Sequence, residues 1–201
     1  MAKEWHSRGY IPHWERGEVV QSITFRLADS LPREVLERWT EELANLPNDK
    51  AEVRRRARIE SALDRGHGEA LLLGDVAELI EHAILYFDAQ RYRAHAWVIM
   101  PNHVHVLITP ATSETLSAIV HSWKSFTAKK ANLLLKRSGA FWSREYFDRA
   151  IRDEAHYANA LAYIAMNPVK VGLCHAADDW RFSSAWRGRK SRQDAGAPGQ
   201  E

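Results

Sequence analysis

The run Ala96-Trp97-Val98-Ile99-Met100-Pro101-Asn102-His103-Val104-His105-Val106-Leu107-Ile108 constrains this chain more than any other stretch. Apolar, β-prone residues on both sides of Pro101-Asn102 read as two strands joined by a tight turn. In a strand, residues i and i+2 share a face, so His103 and His105 project together while Val104 and Val106 turn to the opposite, buried side. The sheet built around this strand therefore has one apolar face and one face carrying two imidazoles. Two same-facing imidazoles make a compact pair of nitrogen ligands for a divalent metal.

The flanking elements give the fold class. Residues 19–27 are rich in β-formers and read as a strand. Pro32, after Ser30 as a candidate cap, opens a helix through residue 44. A very polar helix follows over about residues 49–63. Its apolar stripe (Val53, Ala57, Ile59, Leu63) is thin, so segment 49–66 reads as a helical insertion or surface arm. Residues 76–90 carry a full apolar helical face, 92–100 and 103–109 are the hairpin, and 115–136 form a long basic amphipathic helix. Residues 141–151 are aromatic and β-prone, and a final core helix runs from 153 to about 167. This order is a split βαβ pattern: an α+β, ferredoxin-like fold with a four-stranded antiparallel sheet and the histidine strand central. One sheet face packs the first two principal helices, which leaves the terminal helix to cover the histidine face. Residues 1–186 read as a single domain. Gly9 and Pro12 argue against regular structure in residues 1–17, and the charged tail, 187–201, is expected to be disordered.

Tyr163 and Asn167 are four apart, about 40° from each other around a helix axis. If the terminal helix crosses the histidine face, the phenol and the amide approach His103 and His105. The Asn167 oxygen then offers a third metal ligand, leaving positions open for a scissile phosphate and water. Asn167 precedes Pro168, which favours a helix ending just before it. A tyrosine nucleophile suits reversible phosphodiester chemistry, because its attack leaves a phosphotyrosine and a free 3′-hydroxyl. An unperturbed phenol has a pKa of about 10, so the metal must mainly activate the phosphate, with Lys170 and Arg149 as candidate cationic neighbours. His156, seven residues before Tyr163, is the one further histidine expected near this site.

A net charge of +2 does not announce a nucleic-acid partner, but the distribution is uneven. Arg54-Arg55-Arg56, Lys124, Lys129-Lys130, Lys136-Arg137 and residues 187–192 are basic clusters. A single cysteine, Cys174, excludes an intrachain disulfide and a zinc site made of thiolates alone. No apolar run approaches the roughly 20 residues that cross a bilayer, and the N-terminus lacks a signal-peptide core, so a cytoplasmic protein without membrane contact is expected.

Three blocks resemble the HUH single-tyrosine transposases, in the branch called REP-associated tyrosine transposases. They are residues 96–105, with the His-hydrophobic-His; Phe141-Trp142-Ser143-Arg144-Glu145-Tyr146-Phe147-Asp148-Arg149-Ala150-Ile151-Arg152; and Tyr163-Ile164-Ala165-Met166-Asn167-Pro168-Val169-Lys170, followed by Asp179-Trp180-Arg181-Phe182-Ser183-Ser184. The resemblance implies that His103, His105 and Asn167 hold Mg²⁺ or Mn²⁺ and that Tyr163 is the nucleophile. It also implies cutting and joining of single-stranded DNA at hairpins formed by imperfect palindromes. In this branch the N-terminal region reads a tetranucleotide beside the hairpin, a role that falls here on the segment with Arg8, Tyr10 and His13. Further DNA contacts are expected from Lys124, Lys129, Lys130, Arg144, Arg149 and Lys170. The chain is expected to act as a monomer or a homodimer. Two other readings stay open: a domesticated hairpin-binding regulator without turnover, and a His-x-His metal hydrolase, which would want further His or carboxylate ligands.

Overall fold

The computed structural model describes residues 5–7, 12–14, 19–66 and 74–188. Near the N-terminus, β1 (Trp5–Ser7) pairs antiparallel with β2 (Pro12–Trp14), so backbone pairing exists where the Gly9 and Pro12 signals predict none. Arg8 and Tyr10 lie outside the described residues, as do residues 189–201 of the tail. His13 sits in β2 opposite His6.

The main sheet contains β3 (Gln21–Leu27), β4 (Tyr92–Ile99), β5 (His103–Pro110) and β6 (Trp142–Ala150), in the order β4-β5-β3-β6 with every pair antiparallel. The histidine strand β5 is therefore internal, as its pattern predicts. Register then assigns the faces: Phe25 lies opposite Val104 and Ile23 opposite Val106, while Thr24 lies opposite His105 and Arg26 opposite His103.

The apolar face packs beneath α3 (Gly74–Tyr86) and α4 (Leu116–Leu134). There Ile23, Phe25, Val104 and Val106 meet Val76, Ile80, Ile119 and Trp123 in the largest core cluster. Helix α3 stops at Tyr86, short of residue 90, and Ala89 then takes a left-handed conformation with φ 64°. Thr115 caps α4 by accepting from the Ala118 amide. Ser30, by contrast, caps nothing: its hydroxyl donates to the Leu27 carbonyl, and α1 (Arg33–Leu43) starts after Pro32 without a side-chain cap.

Two helices share the other face. Helix α5 (Glu154–Lys170) lies over its β4–β5 half, where Ile164 joins Val98, Met100 and Leu107. Helix α2 (Asn48–Leu63) lies over its β3–β6 half, burying Ile59, Ala62 and Leu63 against Leu31 and Phe147. The thin stripe that predicts a surface arm is thus a docking face. Its two C-terminal members are buried while Val53 remains 60% exposed. Beyond a 3₁₀ turn, Ala177–Asp179, the chain runs along the outer edge of β4. The Ile99 amide donates to the Phe182 carbonyl, and the Ser184 amide donates to the Trp97 carbonyl. This cover occupies backbone groups that an open sheet edge would expose to other chains. No helix among the described residues is long and apolar enough to cross a membrane.

Because α2 is packed, Ile59→Ala and Leu63→Ala are expected to cost about 2–5 kcal/mol each. Val53→Ala should stay within about 0.5 kcal/mol. Urea unfolding measures both, and equal small effects at all three positions would show that α2 does not dock.

Candidate active site

Both histidines are buried, His103 at 1% and His105 at 2% exposure. The Asn102 amide Nδ2 donates to the Leu63 carbonyl at 2.9 Å, which leaves its Oδ1 to accept from His103 Nδ1 at 2.6 Å. His103 is therefore the Nδ1–H tautomer, with its lone pair on Nε2. That nitrogen faces His105 Nε2 at 3.0 Å. His105 Nδ1 is held by the Thr24 hydroxyl at 2.8 Å. Burial keeps both rings neutral. It pushes His103 down to about 4, against the raising influence of Asp64 and with that of Lys170. His105 lies well below its ordinary value, through burial first and then the charges of His103, Arg56 and Lys170.

Asp153 starts α5 by accepting from the His156 amide at 2.7 Å. The helix does not end before Asn167; it continues through the buried Pro168 to Lys170 and stops at Gly172, whose φ is +76°. Proline at position 168 has no N–H to give the Ile164 carbonyl, so the helix forgoes one bond there. Continuation keeps Asn167 one turn below Tyr163 on the same face. Asn167 is 1% exposed, with Nδ2 3.3 Å from His105 Nε2. Its Oδ1 is buried with no hydrogen-bond partner. Tyr163, 36% exposed, sets its ring edge-on to His105 with centroids 5.3 Å apart. Burial raises its phenol pKa, as do the carboxylates of Glu60 and Asp64, while Asn167 and Arg56 oppose them. Tyr163, His103, His105 and Asn167 are thus assembled within one chain.

The donor set fits a divalent cation. Adjacent ligands on an octahedral ion with bonds of about 2.1 Å lie about 3 Å apart, which matches the Nε2 to Nε2 separation of 3.0 Å. The unpaired Asn167 oxygen, costly to bury alone, is a natural third ligand. The Thr24 hydroxyl can donate to His105 Nδ1 or accept from it, so His105 can free its Nε2 lone pair without losing its support. Among the described residues no group of three or more His, Cys, Asp and Glu side chains is placed to hold a metal, so any cation held here would need the Asn167 amide or a non-protein ligand beside the two imidazoles.

Beside the histidines a groove of about 350 Å³ opens between α2 and α5. Ser22 and Thr24 form its floor, Arg56 and Glu60 one wall, Asn159 and Tyr163 the other, with Arg149 and His156 also lining it. Lys170 reaches the site as well: its Nζ stands 5.9 Å from the centre of the Tyr163 ring and pairs with Asp64 at 2.6 Å. Lys129 and Lys130, exposed on α4, belong to the opposite layer of the sheet. Lys124, also on α4, donates to the Arg144 carbonyl at 2.9 Å at the β6 edge. Burial lowers the Lys124 pKa to about 8, with the Arg26 charge adding to the shift. The structure therefore brings Arg149 and Lys170 to the site, and leaves Lys124, Lys129, Lys130 and Arg144 outside it. Sequence reasoning misses Thr24, Asn102, Arg56 and Glu60. Of these only Asn102, adjoining His103, carries a local signal.

Comparison with known proteins bears on this arrangement. The family described as "Transposase IS200 like" matches residues 70–167. The chain is 28% identical over 118 residues to a REP-associated tyrosine transposase of Escherichia coli (strain K12), covering 58% of this chain and 68% of that protein. It is 31% identical over 103 residues to a Haemophilus influenzae protein named for the same group, covering 46% of this chain and 58% of that one. A solved REP-associated tyrosine transposase bound to a REP hairpin superposes with a TM-score of 0.56 at 20% identity, over 86% of this chain and 79% of that chain. At that identity it is the fold that is shared.

Asn102→Ala would leave the His103 Nδ1–H and the Leu63 carbonyl unpaired in a buried place. A loss of about 1–3 kcal/mol in unfolding free energy is expected. Long-range ¹H–¹⁵N spectra should show the Nδ1–H tautomer of His103 in the parent chain; the Nε2–H tautomer would contradict the bonding deduced above.

Proposed function

We propose, from the similarity of this chain to the REP-associated tyrosine transposases, that it nicks and rejoins single-stranded DNA beside hairpins, through a covalent 5′-phosphotyrosine at Tyr163. The observation that carries this reading is the convergence of Tyr163 with donor atoms of His103, His105 and Asn167. Mg²⁺ or Mn²⁺ held by His103, His105 and Asn167 would neutralise charge on the scissile phosphate and polarise it.

The chain's own groups account for the remaining chemistry. The Tyr163 phenol oxygen forms a bond to phosphorus as the bond from phosphorus to the 3′-oxygen breaks. The phenol gives up its proton and the departing 3′-oxygen gains one, so the products are a 5′-phosphotyrosine and a 3′-hydroxyl. Burial raises the phenol pKa, so losing that proton depends on nearby positive charge, which Arg56 and Lys170 provide. Attack by another 3′-hydroxyl runs the step backwards and joins strands, which conserves the phosphodiester energy. A hairpin is the partner class, in keeping with the REP hairpin bound by the structural neighbour.

The test uses a 3′-labelled single-stranded oligonucleotide carrying a palindrome from the DNA flanking the coding region, incubated with Mn²⁺. A denaturant-resistant protein–DNA adduct is expected. Tyr163→Phe should reduce it by about 10³-fold or more, and His103→Ala and His105→Ala should do the same. An adduct of undiminished yield in Tyr163→Phe would refute the nucleophile. Hairpin binding without any adduct would favour a regulator that has lost turnover.

A further inference from the structure

We propose that Arg56 of α2 and Arg149 of β6 form a phosphate clamp that holds the DNA backbone beside the scissile bond; this rests on the transferase reading above and adds a role that α2 plays in it. Both guanidiniums line the groove that adjoins Tyr163 and His105. Arg149 lies opposite Ser22 on the histidine face, one same-face position along β3 from Thr24, which faces His105. Its side chain makes no hydrogen bond or ion pair with any described residue.

Arg56 is held and still has donors to spare. Its Nε donates to Glu60 at 3.0 Å and its Nη1 to the Asp148 carbonyl at 3.3 Å. The guanidinium rests 5.8 Å from the centre of the Phe147 ring. Its Nη2 hydrogen-bonds to nothing among the described residues. Two cations thus face one groove with a single carboxylate, Glu60, between them. Burial first, and then the Arg56 charge, lowers the Arg149 pKa, while Glu60 raises it.

Two guanidiniums sharing one carboxylate leave a net positive charge in the groove, which favours an anion there. The planar fork of a guanidinium fits phosphate oxygens in pairs, and the floor offers the hydroxyls of Ser22 and Thr24. Arginine forks over hydroxyl donors suit a phosphodiester, so the clamp fixes position and is blind to sequence. Glu60 holds the Arg56 fork in orientation before the strand arrives, at the cost of part of its charge.

The test pairs protein and substrate changes. An uncharged methylphosphonate is placed in turn at each linkage flanking the nick of the oligonucleotide described above, and single-turnover adduct formation is followed with Mn²⁺. For the parent chain, neutralising one linkage next to the nick should slow the reaction by about 10²-fold. Arg56→Gln and Arg149→Gln should each slow the fully charged substrate comparably and be nearly insensitive at that same linkage. Arg56→Lys should recover part of the rate, and the melting temperature of each variant reports whether it folds. The salt dependence of strand binding should also fall, by about one counterion per arginine removed. If both glutamine variants keep the parent's sensitivity at every linkage and its salt slope, the clamp is wrong while the tyrosine chemistry stands. If the parent chain forms no adduct, the underlying reading fails, and an unchanged salt slope in the variants would then overturn the clamp on its own.

Discussion

Two neutral imidazoles facing each other at 3.0 Å are the constraint around which the histidine face is built. Burial forbids both charges, so each ring must present a lone pair or a single proton to the other, and its outer nitrogen needs a fixed partner. Asn102 and Thr24 are those partners. Asn102 in turn needs an acceptor for its amide, which the last turn of α2 supplies through the Leu63 carbonyl. The docking of α2 is thereby tied to the tautomer of a histidine, and a cation held as proposed would meet a scaffold already oriented for it.

Charge around the site follows from the same packing. The net charge of +2 hides a local arrangement in which Arg56, Arg149 and Lys170 converge from three different elements upon Tyr163 and the groove beside it. Glu60 and Asp64 partly offset them by pairing with Arg56 and Lys170. An anionic strand bound as proposed would compete for those pairings and turn positive charge toward its own phosphates and toward the phenol. The carboxylates that raise the phenol pKa in the free chain are the ones holding the cations that would lower it. On the proposed function, reactivity at Tyr163 would be coupled electrostatically to occupancy of the groove.

Much of this was legible in the chain. Alternation over residues 103–108 gave the buried face of β5, and the element order gave the sheet topology, because both rest on period-two patterning and chain connectivity. Tyr163 and Asn167 were readable as one helical face through their spacing alone. Pro168 misled: local sterics argue for a helix end there, but tertiary burial of the proline carried the helix one further turn. The role of α2 was illegible for a different reason. Ile59 and Leu63 form a stripe too short to announce a core helix, and what they meet, Leu31 and Phe147, comes from distant segments. Arg54, Arg55 and Arg56 look alike in sequence. Only the rotation of the docked helix sends Arg56 into the groove and Arg55 toward Glu145.

The division of apolar contacts explains how the site can be open without weakening the fold. The largest cluster lies entirely on the α3 and α4 side, where Val104 and Val106 anchor the strand that presents the histidines. On the histidine side there are two smaller clusters, one under α5 and one under α2, and they do not merge. The groove is the seam between them. A continuous core across that face would place α2 and α5 in contact and leave no room for a strand beside Tyr163. Splitting it sacrifices some burial and leaves polar side chains along the seam, where Ser22 and Thr24 line the floor and the Asn167 oxygen goes unpaired. Alternate residues of β5 therefore serve separate ends: Val104 and Val106 fix the sheet on its core, and His103 and His105 face a gap which that core makes stable.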